Sequence, residues 1–260
     1  MRVVRLLPAT LLLAAATAAA APTTTNVARE QNWASEVVDM LMVGEAVWLT
    51  ARDHKFLALH TAPPGGGKRA VILAHGKGVH PAFGLIDKLR GDLAEAGFHT
   101  LSLQMPILDN EATSAAYGAT VPEAFERIDA GIRYLKEKHG IGDVVLLGHS
   151  IGAITVVAYA ARHPQAPVRA VVAVSGGHIA DGPDTMQPAK MLKDVRRPVL
   201  DIYGCADFPE VLTQAPARAA AAKAAGNRGY QAVTVPDADH FFTDHYAPLR
   251  QQTVDWLKRQ

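Results

Sequence analysis

The sequence predicts an α/β fold, a mostly parallel twisted sheet of about eight strands with helices on both faces. Two observations carry this. From residue 69 onward short apolar runs alternate with helical stretches at least five times, as in a parallel sheet whose crossovers are helices. Ahead of them stand two strand-like runs around a short turn, an antiparallel start. With 260 residues, 49% of them hydrophobic, the chain suffices for one substantial core, so a single domain over 35–260 is expected.

In chain order, EAVWLTA and KFLALHTA (45–51 and 55–62) form the antiparallel start. PPGGGK is a loop, and RAVILAHG (69–76) a buried strand. LIDKLRGDLAEAG (85–97) has apolar residues at helical spacing and a glycine stop. HTLSLQMP (99–106) is the next strand, EAFERIDAGIRYLKEKHG (123–140) an amphipathic helix closed by Gly140, DVVLLG (143–148) a strand and IGAITVVAYAARH (151–163) a buried helix. VRAVVAVSGG (168–177) and RPVLDIYG (197–204) are strands; PEVLTQAPARAAAAKAAG (209–226) is helical with an interruption at Pro216. YQAVTVP (230–236) is the last strand and DHYAPLRQQTVDWLKRQ (244–260) the closing helix.

The first residues stand apart. Arg2 and Arg5 precede LLPATLLLAAATAAAA, followed by Ala-x-Ala cleavage choices. This reads as a secretory signal peptide over 1–20, too short and alanine-rich for a membrane span. A periplasmic or secreted location is expected, with no membrane span after cleavage and a mobile polar leader over 21–34. The net charge of +1 is scattered, which excludes a nucleic-acid surface. The single cysteine, Cys205, excludes an internal disulfide. No cysteine pair, His-x-x-x-His or His-Glu-x-x-His pattern suggests a metal, and no cofactor is implied. Oligomeric state is not readable.

Ligands of such sheets bind beyond the carboxyl ends of the strands. There the chain places His75-Gly76-Lys77-Gly78, then Gly148-His149-Ser150-Ile151-Gly152, then Gly204-Cys205-Ala206-Asp207, and last Asp237-Ala238-Asp239-His240. Gly-x-Ser-x-Gly between a strand and a helix is the nucleophile-elbow signature, and the order Ser, Asp, His fits it. A helix N-cap is the plain reading of Ser150, but a cap needs neither flanking glycines nor a downstream acid and histidine.

Residues 45–259 resemble an α/β-hydrolase. More narrowly, VGEAVWL, HGKGVHPAFGLIDKLRGDLAEAGFHTLSLQMP, GHSIGA, PVLDIYGCADFP and VPDADHFF resemble a group of bacterial exported α/β-hydrolase-like proteins classed as a domain of unknown function. The broad resemblance implies the α/β-hydrolase fold and a triad; the narrow one supplies no substrate.

Ser150 is then the nucleophile and His240 the base, with His245 its competitor at a helix start. Asp207 orients the imidazole: Asp201 lies mid-strand, and Asp237 and Asp239 stand too close to His240 in the chain. The backbone N–H groups of Lys77 and Ile151 form the oxyanion hole. Met105, Tyr117 and Phe241 are pocket candidates, His75 is structural, and Cys205 is a small half-buried loop residue. The span between Val174 and Pro198 is too short for a large cap domain, so an open pocket is expected. The reading is a serine hydrolase acting on a small-molecule or lipid-like ester through an acyl-enzyme; thioester, amide or peptide bonds suit the same residues. The alternative is a non-catalytic or weakly catalytic envelope binding or assembly protein on the same scaffold.

Overall fold

The computed structural model describes residues 21–260; the expected signal peptide lies outside the described residues. Eight strands, β1 (Glu45–Ala51), β2 (His54–Thr61), β3 (Ala70–Ala74), β4 (His99–Leu103), β5 (Val144–His149), β6 (Val168–Val174), β7 (Val199–Gly204) and β8 (Tyr230–Val235), form one sheet. Their order is β1-β2-β4-β3-β5-β6-β7-β8. β1 and β2 pair antiparallel, as do β2 and β4, and every later pairing is parallel. This is the α/β-hydrolase fold, without a large cap.

The strands read as continuous apolar runs because both faces are covered. In β3, Ala70, Ile72 and Ala74 enter one core cluster while Val71 and Leu73 enter the other, the period of two that a pleated strand imposes. Helices α3 (Val121–His139) and α4 (Ile151–Arg162) cover the first face through Ile128, Leu135, Val156 and Tyr159. Helices α2 (Gly84–Glu95) and α8 (Tyr246–Lys258) cover the second through Leu89, Leu93, Leu249 and Trp256. α3 stops at Gly140, whose φ of 64° is left-handed. The short α5 (Pro188–Met191) stands in the span after β6. The interruption expected at Pro216 is a break into α6 (Pro209–Leu212) and α7 (Ala215–Ala224), with the proline in the first turn of α7. Among the described residues no helix is long and apolar enough to cross a membrane.

The mobile leader expected over 21–34 is corrected. Val27–Asp39 is a helix, α1, capped by Asn26, whose side chain accepts from the Arg29 N–H. Its Ala34 and Val37 pack on Leu57 and Leu59 of β2. The polar residues that suggested mobility are spent inward. Arg127 of α3, fully buried, donates to both carboxylate oxygens of Glu30 at 3.0 and 3.1 Å and to Glu123 Oε1 at 2.6 Å. It also donates to the Gln104 carbonyl at 2.8 Å. Thr23 and Thr24 donate to Glu123, and Thr25 to Glu30. Partners nearly a hundred residues away leave no local sequence signal.

Replacing Arg127 with Met is expected to strand two buried carboxylates and cost about 3–5 kcal/mol in denaturant-monitored unfolding. A loss below about 1 kcal/mol would contradict the role given to this network.

Candidate active site

Ser150 sits between β5 and α4 with φ 57° and ψ −122°, and its side chain makes no capping hydrogen bond. The N-cap reading therefore fails, and the backbone is held in a region that costs a non-glycine residue about 1–3 kcal/mol. Two glycines make the reversal possible. A Cβ on Gly148 would lie 2.2 Å from the Gly152 carbonyl oxygen, and one on Gly152 would lie 2.2 Å from that of Ala74. The strand end, the turn and the first turn of α4 are thus in backbone contact with β3. Ser150 donates its N–H to the Val174 carbonyl at 2.9 Å and remains partly exposed.

His240 and Asp207 meet. Nδ1 of His240 donates to Asp207 Oδ1 at 2.6 Å, and both residues are buried. The His240 side chain makes no other hydrogen bond among the described residues, so Nε2 is left unpartnered and no bond yet joins it to Ser150; such contacts commonly tighten only with substrate. Ser150 and His240 line one cleft of about 1410 Å³. The loops that carry acid and histidine are laced together: Ala206 donates its N–H to the Ala238 carbonyl at 2.9 Å, and a Cβ on Gly204 would lie 2.0 Å from that same oxygen.

Asp207 accepts more than the imidazole. The Phe208 N–H reaches Oδ1 at 2.7 Å, and the hydroxyl of fully buried Ser175 donates to Oδ2. Burial alone would push this carboxyl up, but the hydrogen bonds from His240 and Ser175 outweigh it and hold it below its ordinary value. Phe208 also stacks on the His240 ring at 4.1 Å between centroids, 19° from parallel, while Phe241 meets it edge-on at 5.1 Å. Ser175 and Phe208 escaped the sequence reading. Ser175 follows β6 at the same sheet edge, a position that signals a site, but the expected strand ran through it to 177.

The remaining expectations divide. The backbone N–H groups of Lys77 and Ile151 border the cleft and donate to no protein acceptor among the described residues. Phe241 lines the cleft and is 57% exposed. Met105 and Tyr117 do not line it and are corrected. Met105 is buried in the core under α3, its N–H donating to His75 Nε2 at 2.9 Å. Tyr117 packs with Val121, Ile154 and Met186, its hydroxyl consumed by the Leu108 N–H at 3.1 Å. The cleft wall is built by Phe83, Ile154, Ile179 and Val211 instead. His245 binds the Thr243 carbonyl and does not line the cleft. Cys205 is exposed rather than half-buried; its Sγ accepts the Asp237 N–H at 3.0 Å. Asp201 lies mid-strand, paired with Arg218 at 2.7 Å.

Two histidines scaffold the site. His75 hydrogen-bonds the Gly76 carbonyl through Nδ1 and accepts the Met105 N–H at Nε2, which fixes the Lys77 loop. His149 donates from Nε2 to the His240 carbonyl at 2.9 Å. Burial pushes His75 down to about 3 and His149 down to about 4.

The sequence pattern of a family described as protein of unknown function (DUF3530) matches residues 2–124 and 109–241. The chain belongs to this family. No curated protein matches it. Among solved structures, this DUF3530 protein is similar to Est1E from Butyrivibrio proteoclasticus, with a TM-score of 0.66 and 19% identity over 82% of this chain and 98% of that one. A dienelactone hydrolase from Anabaena variabilis gives 0.67 and 22% over 83% and 96%. XC6422 from Xanthomonas campestris, described as an α/β serine hydrolase without lid, gives 0.62 and 17% over 84% and 95%. At such identities the likeness establishes the fold of the DUF3530 chain and leaves its chemistry to its residues.

Two outcomes follow for this DUF3530 protein. Ser150→Gly is expected to unfold at higher denaturant than Ser150→Ala, by about 1 kcal/mol or more, because glycine relieves the left-handed backbone; equal stabilities would mean that the turn is unstrained. The second concerns acid. Below pH 6.5 the unfolded chain protonates His75 and His149 while the folded chain resists to about 3 and 4. Stability is therefore complete above about pH 6.5 and falls as pH drops toward 4, with His149 alone contributing roughly 3 kcal/mol. A melting temperature unchanged from pH 7 to about 4.5 would contradict this.

Proposed function

We propose that the protein is a secreted, periplasmic or extracellular serine hydrolase that cleaves an ester-like bond through Ser150, His240 and Asp207. The observation that carries this reading is Ser150 itself: a strained, non-capping serine, partly exposed in the same cleft as a histidine tied to a buried carboxylate. Its hydroxyl attacks the substrate carbonyl while Nε2 of His240 takes the proton. Asp207 keeps the other ring proton on Nδ1 and stabilises the imidazolium that forms. The tetrahedral oxyanion is received by the N–H groups of Lys77 and Ile151, interactions worth about 3 kcal/mol each when the charge develops. His240 then protonates the leaving alcohol, an acyl-Ser150 ester remains, and water activated by the same imidazole releases the acid.

The cleft supports a small-molecule or lipid-like ester. Its walls are mostly apolar, with Lys88, Asp181 and Glu210 among the polar residues that line it, and residues 113–115 and 177–181 stand at its border without closing over Ser150. The solved structures similar to this one in fold include an esterase from Pyrococcus furiosus, which agrees with this reaction class. The secreted location rests on the N-terminal pattern of residues 1–20.

A fluorophosphonate probe read by intact mass is expected to add once to the wild-type protein and not to Ser150→Ala. Asp207→Asn should keep its fold and lose about 10⁴-fold in kcat against a panel of short and long acyl esters. Absence of labelling in the wild type, with no turnover on that panel, would favour a binding or assembly protein on a hydrolase scaffold.

A further inference from the structure

At the edge of the sheet where the parallel strands begin, away from Ser150, three histidines gather from three elements. His60 comes from β2, His99 opens β4 and His139 ends α3. Each offers a ring nitrogen within 4.8 Å of the other two. His60 and His99 are buried and His139 is half-buried. No sequence motif marks them, because the spacings of 39 and 40 residues follow from the sheet and not from the chain.

A carboxylate orients the first of these rings. Glu45 Oε1 stands 2.9 Å from His60 Nδ1, which draws the His60 proton to that nitrogen and leaves Nε2 with a lone pair. His60 Nε2 in turn faces His99 Nδ1 at 3.0 Å. With the His60 proton directed outward to the carboxylate, its Nε2 lone pair is turned toward His99. For His60 that is the outer arrangement of a metal-bound histidine, whose second N–H is held by a carboxylate or carbonyl. Two imidazoles on a tetrahedral zinc ion, at about 2.0–2.1 Å, hold their nitrogens about 3.3 Å apart, close to the separation found here.

We propose that His60, His99 and His139 bind a divalent transition-metal ion, with zinc the best match to three imidazoles. The ion replaces the contact between His60 and His99 and ties β2, β4 and the end of α3 together. His139 supplies the third nitrogen. Its ring stacks on His60 at 4.2 Å, so coordination requires it to turn, which its half-exposed position at the helix end permits. Burial first, then the neighbouring His60, holds both His99 and His139 below the ordinary imidazole value. Lys68, exposed and hydrogen-bonded to the His139 carbonyl at 3.4 Å, is a nearby cation that water screens. The site is independent of the serine chemistry and acts as a clip on the fold.

The test is calorimetric titration of the chelator-stripped protein with zinc chloride, together with its melting temperature with and without the ion. Wild type is expected to take up one equivalent with micromolar or tighter affinity and to melt several degrees higher when loaded. His99→Gln and His139→Gln should each bind at least tenfold more weakly and lose the increment. His139→Gln, at a half-exposed position, should melt without metal close to wild type, which separates lost coordination from lost folding. No saturable uptake by wild type, or variants that bind as wild type does, would overturn the proposal and leave a hydrogen-bonded histidine stack.

Discussion

The left-handed backbone of Ser150 is the constraint around which the active edge of this protein is arranged. It exists only because β5, the turn and α4 press directly against the end of β3, a contact that Gly148 and Gly152 allow and any Cβ would forbid. Strain of this kind persists where the surroundings over-determine it. Here the surroundings are the central strands of the sheet, buried on both faces by the two largest clusters. The deeply buried centre of the sheet therefore holds the strained serine, and a helix N-terminus, favourable to negative charge, follows immediately.

The other partners arrive on loops, and the structure compensates with hydrogen bonds. The acid loop and the histidine loop share backbone contacts through Ala206, Gly204 and Ala238. His149, next to Ser150, reaches across to the His240 carbonyl, so the turns that carry Ser150 and His240 are coupled through one side chain. Arg29 of α1 donates to the Gly78 and Leu108 carbonyls, which ties the N-terminal helix to the loop that carries Lys77. The Glu30–Arg127–Glu123 network fixes that helix in turn. The order in the first described residues thus serves the site, not only the fold.

Most of the fold could be read from the chain, because buried parallel strands are short apolar runs and their crossover helices end at glycines such as Gly97 and Gly140. That Ser150, Asp207 and His240 share one edge of the sheet was legible for a related reason: each follows a parallel strand, and parallel strands end on the same side. What stayed hidden depends on partners distant in sequence. α1 was read as a mobile leader because Glu30 and Thr25 look solvated until Arg127 is placed beside them. Met105 and Tyr117 were read as pocket residues from their loop positions, whereas their side chains turn into the core. Ser175 and Phe208 carry no motif, and the histidine cluster is assembled by strand order alone.

The central claim, that Ser150 is held as a nucleophile facing an oxyanion hole, is tested most directly by a crystal structure of the protein after reaction with a fluorophosphonate. A covalent bond from Ser150 Oγ to phosphorus is expected, with the phosphonyl oxygen about 2.7–3.1 Å from the backbone nitrogens of Lys77 and Ile151. An unmodified Ser150, or an adduct whose oxygen points away from both nitrogens, would contradict it.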